Sequence, residues 1–111
     1  MILEDVTEFS AALKPMRPII GLDLGTVTIG LAVSDTFLGV ASPLETIKRK
    51  KFGLDAARLI EVIEKREICG LVLGLPRNMN GSEGARCQST RSFARNLEKV
   101  WPGPITFWDE R

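Results

Sequence analysis

An aspartate set inside an apolar strand is the feature that most narrows what this chain can become. Ile19-Ile20-Gly21-Leu22-Asp23-Leu24-Gly25-Thr26 is followed almost at once by Thr28-Ile29-Gly30-Leu31-Ala32-Val33-Ser34-Asp35. Two β-prone segments joined through a Gly-containing turn predict a hairpin. Side chains alternate along a strand, so Ile20, Leu22 and Leu24 share one face and Ile19, Gly21 and Asp23 the other. In the second strand Ile29, Leu31 and Val33 oppose Gly30, Ala32 and Ser34. The face of Asp23 is therefore lined by small neighbours, with room for a ligand, a metal or a closely packed element. Burying an unpaired carboxylate in such a strand is costly. Asp23 either accepts backbone N–H groups in the turn or serves a purpose.

The rest of the composition removes several chemistries. The 111 residues carry a net charge of +1, so no global field selects or rejects nucleic acid. There is no histidine, which excludes imidazole bases, histidine-containing triads and His-ligated zinc. Cys69 and Cys87 stand alone, as free thiols of a reducing compartment do. The N-terminal stretch is broken by Glu4, Asp5 and Glu8 and does not read as a signal peptide. No run approaches the roughly 20 apolar residues of a membrane span. A soluble, cytoplasmic protein with no membrane partner is expected.

In chain order, residues 1–17 read as an extension with a helical turn around Val6–Leu13, ahead of a domain over 18–111. Asp35 reads as a turn former at the end of the hairpin far from Asp23. Residues Val40–Ile47 predict a third strand, with Pro43 marking an edge or a bulge. Lys48-Arg49-Lys50-Lys51 reads as a solvated loop, with a phosphate contact as the alternative, before a helix over Leu54–Arg66, whose expected stripe is Leu54, Ala57, Ile60 (or Leu59) and Ile63. The apolar run Ile68–Leu75 lacks alternation, as an interior parallel strand does. A loop over Pro76–Ser82 precedes a helix over Glu83–Val100, capped by Ser82 and buried through Thr90, Phe93, Ala94, Leu97 and Trp101, with Arg86, Arg91 and Arg95 elsewhere on it to face solvent or phosphate. Pro104–Trp108 reads as the last strand, ending in Asp109-Glu110-Arg111. The order β-β-β-α-β-α-β predicts an α/β fold, a mixed five-stranded sheet flanked by helices. Ligands are expected beyond the carboxyl ends of its parallel strands.

Asp23, the Pro76–Ser82 loop and Asp109–Glu110 all lie at such ends. Converging carboxylates without histidine suit a hard cation, since magnesium accepts one or two carboxylates, its own waters and substrate phosphate oxygens. A metal pair about 4 Å apart activates water and stabilises the leaving oxygen of a phosphodiester. Asp23 would bridge the ions, with Glu110 or Asp109 holding one. Arg77, Asn78 and Asn80 could donate to backbone phosphates. Thr26 and the turn amides equally suit direct binding of a nucleotide phosphate.

Gly21-Leu22-Asp23-Leu24-Gly25-Thr26, Ala32–Asp35, Ser42–Ile47, Gly74–Ser82 and Asp109-Glu110-Arg111 resemble, in order, the motifs of the YqgF/RuvX family, pre-16S rRNA nucleases once described as Holliday-junction resolvase-like. The resemblance covers residues 18 to 111. It implies a ribonuclease H-like fold, a Mg²⁺- or Mn²⁺-dependent nuclease, and processing of the 5′ end of the 16S rRNA precursor. Its implied partners are RNA or branched DNA, with a homodimer among the allowed assemblies. Asp23 matches the family's first-strand catalytic acid, and Glu110 is taken before Asp109 from its Asp-Glu-Arg segment. Family members continue into a C-terminal helical region bearing a further acid, expected against the face of Asp23. Nothing here corresponds to it, so an incomplete site and exposed apolar sheet are expected. Two readings compete: a non-catalytic RNA- or protein-binding module of the same fold, and an actin-like nucleotide-binding domain, which would need a second such domain.

Overall fold

In the computed structural model of the protein, residues 1–34 and 41–110 are described; Val40, Asp35 and Arg111 of the sequence reading fall outside them. The described elements are α1 (Val6–Ala12), β1 (Ile19–Leu24), β2 (Thr28–Ser34), β3 (Ala41–Lys48), α2 (Phe52–Arg66), β4 (Gly70–Leu75), α3 (Ala85–Glu98) and β5 (Ile105–Asp109). One five-stranded sheet has the order β3-β2-β1-β4-β5. The first three strands run antiparallel, and β1, β4 and β5 are parallel, so the sheet is mixed as the element order requires.

The pleat sorts the side chains. Ile20, Leu22, Leu24, Ile29, Leu31, Leu71, Leu73 and Ile105 are buried in one cluster with Ala56, Leu59, Val62 and Ile63 of α2 and Phe93, Ala94 and Leu97 of α3. Leu71, Leu73 and Ile105 are wholly inaccessible, and burying each such side chain contributes about 1.5–3 kcal/mol. The opposite face carries Asp23 among Gly21, Gly30, Ala32 and Gly74, as alternation predicts.

Helix phases differ from the simplest stripe. Leu54 is 60% exposed and Ala57 is exposed, while Ala56, Leu59, Val62 and Ile63 face the core. Asp55 is buried on this side as well, its carboxylate accepting the Lys50 N–H at 3.1 Å. Helix α3 starts later than expected, with Gly84 at its N-cap and no side-chain cap. Ser82 is not that cap, because its hydroxyl donates to Asn80 Oδ1 at 2.7 Å and accepts from Asn78 Nδ2 at 2.9 Å. Trp101 is only partly buried.

Residues 1–17 pack on the sheet. Leu3 N–H donates to the Ile105 carbonyl at 2.7 Å, and Ile105 N–H to that of Met1 at 2.8 Å, so Ile2 forms a parallel bridge on the outer edge of β5. Asp5 caps α1 by accepting from Thr7 and Glu8 N–H groups. Phe9 and Leu13 then settle over Gly70, where a Cβ would overlap Leu13 and come 3.0 Å from the Phe9 ring. Helix α1 thus covers the Asp23 face at the end away from Asp23. At the other edge, Glu45 pairs with Leu31 and Pro43 with Ala32, leaving Leu44 as the extra residue of a bulge. Among the described residues, no helix is long and apolar enough to cross a membrane.

Candidate active site

Asp23 sits near the carboxyl end of β1, exposed and facing Gly30 across the hairpin, where a Cβ would lie only 3.8 Å from that of Asp23. Glu110 follows β5 and is held in place by its N–H, which donates to the Leu75 carbonyl at 3.0 Å. Strand β4 lies between them, and its Gly74 makes the meeting possible: Glu110 extends over the bare Cα of Gly74 toward Asp23. Burial raises the Glu110 pKa first, the charge of Asp23 raises it further, and the Arg86 guanidinium opposes both. The two carboxylates are close enough to repel.

Both line an open groove of about 570 Å³ on the sheet, walled by Leu44, Val72 and Trp108. A third carboxylate, Glu45, reaches that wall, but Arg58 holds it through two hydrogen bonds at 2.7 and 2.8 Å. This bond draws the Glu45 pKa below the ordinary carboxylate range. A second cavity of about 680 Å³ continues along the same face under α1, past Val72 and Thr106. Trp108, between the two, is 65% exposed, so apolar sheet surface is open here.

The other candidate residues fall elsewhere. Asp109 points to the opposite side of the pleat from Glu110 and lies 3.6 Å from Arg77 Nη1. Arg77 also pairs with Glu83 at 3.1 Å, and Glu83 with Arg91 at 2.7 Å. Glu83 is thereby lowered to about 2, chiefly by its hydrogen bond from Arg91. Asn78 and Asn80 close their own loop: Asn78 N–H donates to the Ser82 carbonyl and Asn80 Oδ1 accepts from Ser82 N–H. Gly81, at φ 86, turns that loop as only glycine does readily. Asp23 and Glu110 come together; Asp109, Arg77, Asn78 and Asn80 are engaged in a neighbouring intramolecular network.

Thr26 is exposed in the β1–β2 turn. Beside it stand Arg49, from the basic run, and Arg86, one of the three α3 arginines open to solvent or phosphate, in a small pocket shared with Ser89. Arg49 carried a signal, its place in the basic run, but nothing local distinguishes it from the three lysines. Gly74 was visible only as one letter of a motif.

The residues present fit a divalent cation of the magnesium type. Among the described residues no cluster of three ligating side chains exists, but two carboxylates that repel each other across an open groove are a sufficient protein share for an ion that keeps water and substrate oxygens.

The profile of the RuvX family, described as Holliday junction resolvase, matches residues 17–111. The chain belongs to the RuvX family. It is 69% identical over its full length to "Putative pre-16S rRNA nuclease" of Roseobacter denitrificans and 67% identical to the protein of that name from Ruegeria pomeroyi, covering 69% and 72% of those chains. Among solved structures, Thermus thermophilus RuvC in complex with a Holliday junction substrate superposes with a TM-score of 0.57 at 16% identity, over 84% of this chain and 64% of RuvC. The large terminase nuclease of phage G20c superposes at 0.56 with 18% identity, over 85% of this chain and 44% of the terminase chain. These likenesses establish the fold of the RuvX chain as ribonuclease H-like.

Proposed function

We propose that this RuvX chain carries the catalytic face of a divalent-cation-dependent nuclease that processes the 5′ end of the 16S rRNA precursor in the bacterial cytoplasm. Family membership and the names of its relatives support phosphodiester hydrolysis. The observation that carries the proposal is the convergence of Asp23 and Glu110 over Gly74. Asp23 and Glu110 would hold Mg²⁺ or Mn²⁺, which when bound supplies charge neutralisation and a more acidic water. The chain's own part is to orient two carboxylates on a rigid sheet and keep the groove beside them open to a phosphodiester. Glu110, its proton held more tightly than an ordinary carboxyl's, gives that proton up when a cation or a higher pH favours the charged form.

The test is cleavage of a 5′ fragment of the 16S rRNA precursor with Mg²⁺ or Mn²⁺. This chain is run beside one extended to the length of its relatives, each with Asp23→Asn. Loss of cutting in Asp23→Asn with RNA binding retained supports the nuclease. RNA binding by both forms with no cutting under either metal favours a non-catalytic binding module. That second reading draws its support from the pairing of the third groove carboxylate, Glu45, with Arg58.

A further inference from the structure

The turn after Asp23 carries two arginines on consecutive carbonyls. Arg49 Nη1 donates to Gly25 O at 2.6 Å, and Arg86 Nη2 donates to Leu24 O at 3.3 Å. They come from different elements, Arg49 from the segment after β3 and Arg86 from the first turn of α3. Arg49 is further fixed by the ring of Phe93, whose centroid lies 5.8 Å from its Cζ. Phe93 is itself held edge-on by Phe52, with ring centroids 5.2 Å apart.

Two guanidinium groups so placed repel each other unless an anion shares them. Arg17, Arg58, Arg77 and Arg91 are each ion-paired to a glutamate; among the described residues Arg66 and Arg95 are not, but only Arg49 and Arg86 line a common pocket. Among the described residues no carboxylate makes an ion pair with Arg49 or Arg86; Glu110 reaches Arg86 only as a through-space attraction. Both arginines line a pocket of about 70 Å³, lined also by Thr26 and Ser89. It exceeds the ~10–15 Å³ that one water requires, and the lining offers donors on several sides.

We infer that Arg49, Arg86, Thr26 and Ser89 form a phosphate subsite that grips a backbone phosphodiester of the nucleic acid next to the one presented to Asp23 and Glu110. Guanidinium forks suit phosphate oxygens in pairs, and a subsite prepaid in conformational freedom by Gly25 O and Phe93 binds with less ordering cost. It replaces the contacts sought at Arg77, Asn78 and Asn80, whose polar groups are engaged within the protein. The inference rests on the nuclease reading for its ligand, a polynucleotide.

The experiment is fluorescence anisotropy of a labelled RNA stem-loop with a single-stranded 5′ extension, titrated with this chain across a series of salt concentrations. Arg49→Ala/Arg86→Ala is expected to weaken binding about tenfold or more and to lower the slope of log affinity against log salt by about one per arginine. Lys65→Ala/Arg66→Ala, the same charge change at the end of α2, is expected to leave the slope alone. Arg86→Lys is expected to keep the slope while losing part of the affinity. If the double variant does not fold, Arg86→Ala alone carries the test, since Arg86 is exposed and gives up one hydrogen bond. Wild-type slope and affinity in Arg86→Ala, or an equal loss in the α2 control, overturns the subsite and leaves the nuclease reading standing. Failure of both the unmodified chain and its extended form to bind any RNA overturns both.

Discussion

Gly74 and Glu110 compete for one volume: a Cβ built on Gly74 would overlap the Glu110 carboxylate, 2.7 Å from Oε2 and nearer still to Oε1. Gly74→Ala is therefore expected to push the flexible end of Glu110 off its place beside Asp23. The backbone of β4 has no need to move. Metal affinity, or cleavage by the extended form, should fall about 10–100-fold, the scale seen when ligand orientation is lost. Mn²⁺ titration by calorimetry checks this, with a near-unchanged melting temperature separating it from unfolding.

The same pair predicts a stability cost. The Glu110 pKa is higher folded than unfolded, so the folded state holds its proton longer and stability falls as pH rises from the ordinary carboxylate range through the folded value. Glu110→Gln should abolish that decline and be more stable than the parent at pH 7 while losing activity. Urea midpoints at pH 4 and pH 7 measure it; equal midpoint shifts at both pH values would oppose the prediction.

Glu83 works with the opposite sign. Its pKa of about 2 lies below the unfolded value, so its contribution is present above about pH 4.5 and is lost as pH falls toward 2. Glu83→Gln should destabilise the protein at neutral pH and flatten its acid sensitivity between those limits. Thermal melts across that window provide the check.

Thr106 offers a stabilising change. Its Oγ1 is buried and, among the described residues, has no hydrogen-bond partner. Thr106→Val keeps the shape and removes the orphaned hydroxyl, which should add about 1 kcal/mol or more. For a domain of this size that is roughly 4 °C in Tm, readable by calorimetry.

Much of this was legible before any coordinates. Alternation in β1 and β2 placed Asp23 among small residues, the unalternating run of β4 marked an interior parallel strand, and Pro43 marked an edge and a bulge. Those signals are local, repeating every residue or two. The rotation of α2 is less legible because Ala56, Leu59, Val62 and Ile63 form a second apolar phase in the same segment, and only packing on the sheet chooses between the two. The start of α3 is hidden by its preceding loop, where Ser82 bonds Asn78 and Asn80 instead of the helix. In the site, the acid on the Asp23 face could be sought by pleat and motif, whereas the engagement of Arg77 with Asp109 joins residues far apart in sequence. Arg49 and Arg86 are 37 residues apart in sequence and meet only because β1 ends between them.

The bulge at Leu44 bears on how such molecules meet one another. A free strand edge is a growth front, ready to take up a strand from a neighbouring copy. Pro43 has no N–H to offer there, and the extra residue beside it breaks the repeat a second strand would have to match. Ile2 already occupies part of the far rim, against Ile105. Both margins of the sheet are thus poor templates for a strand from a second copy.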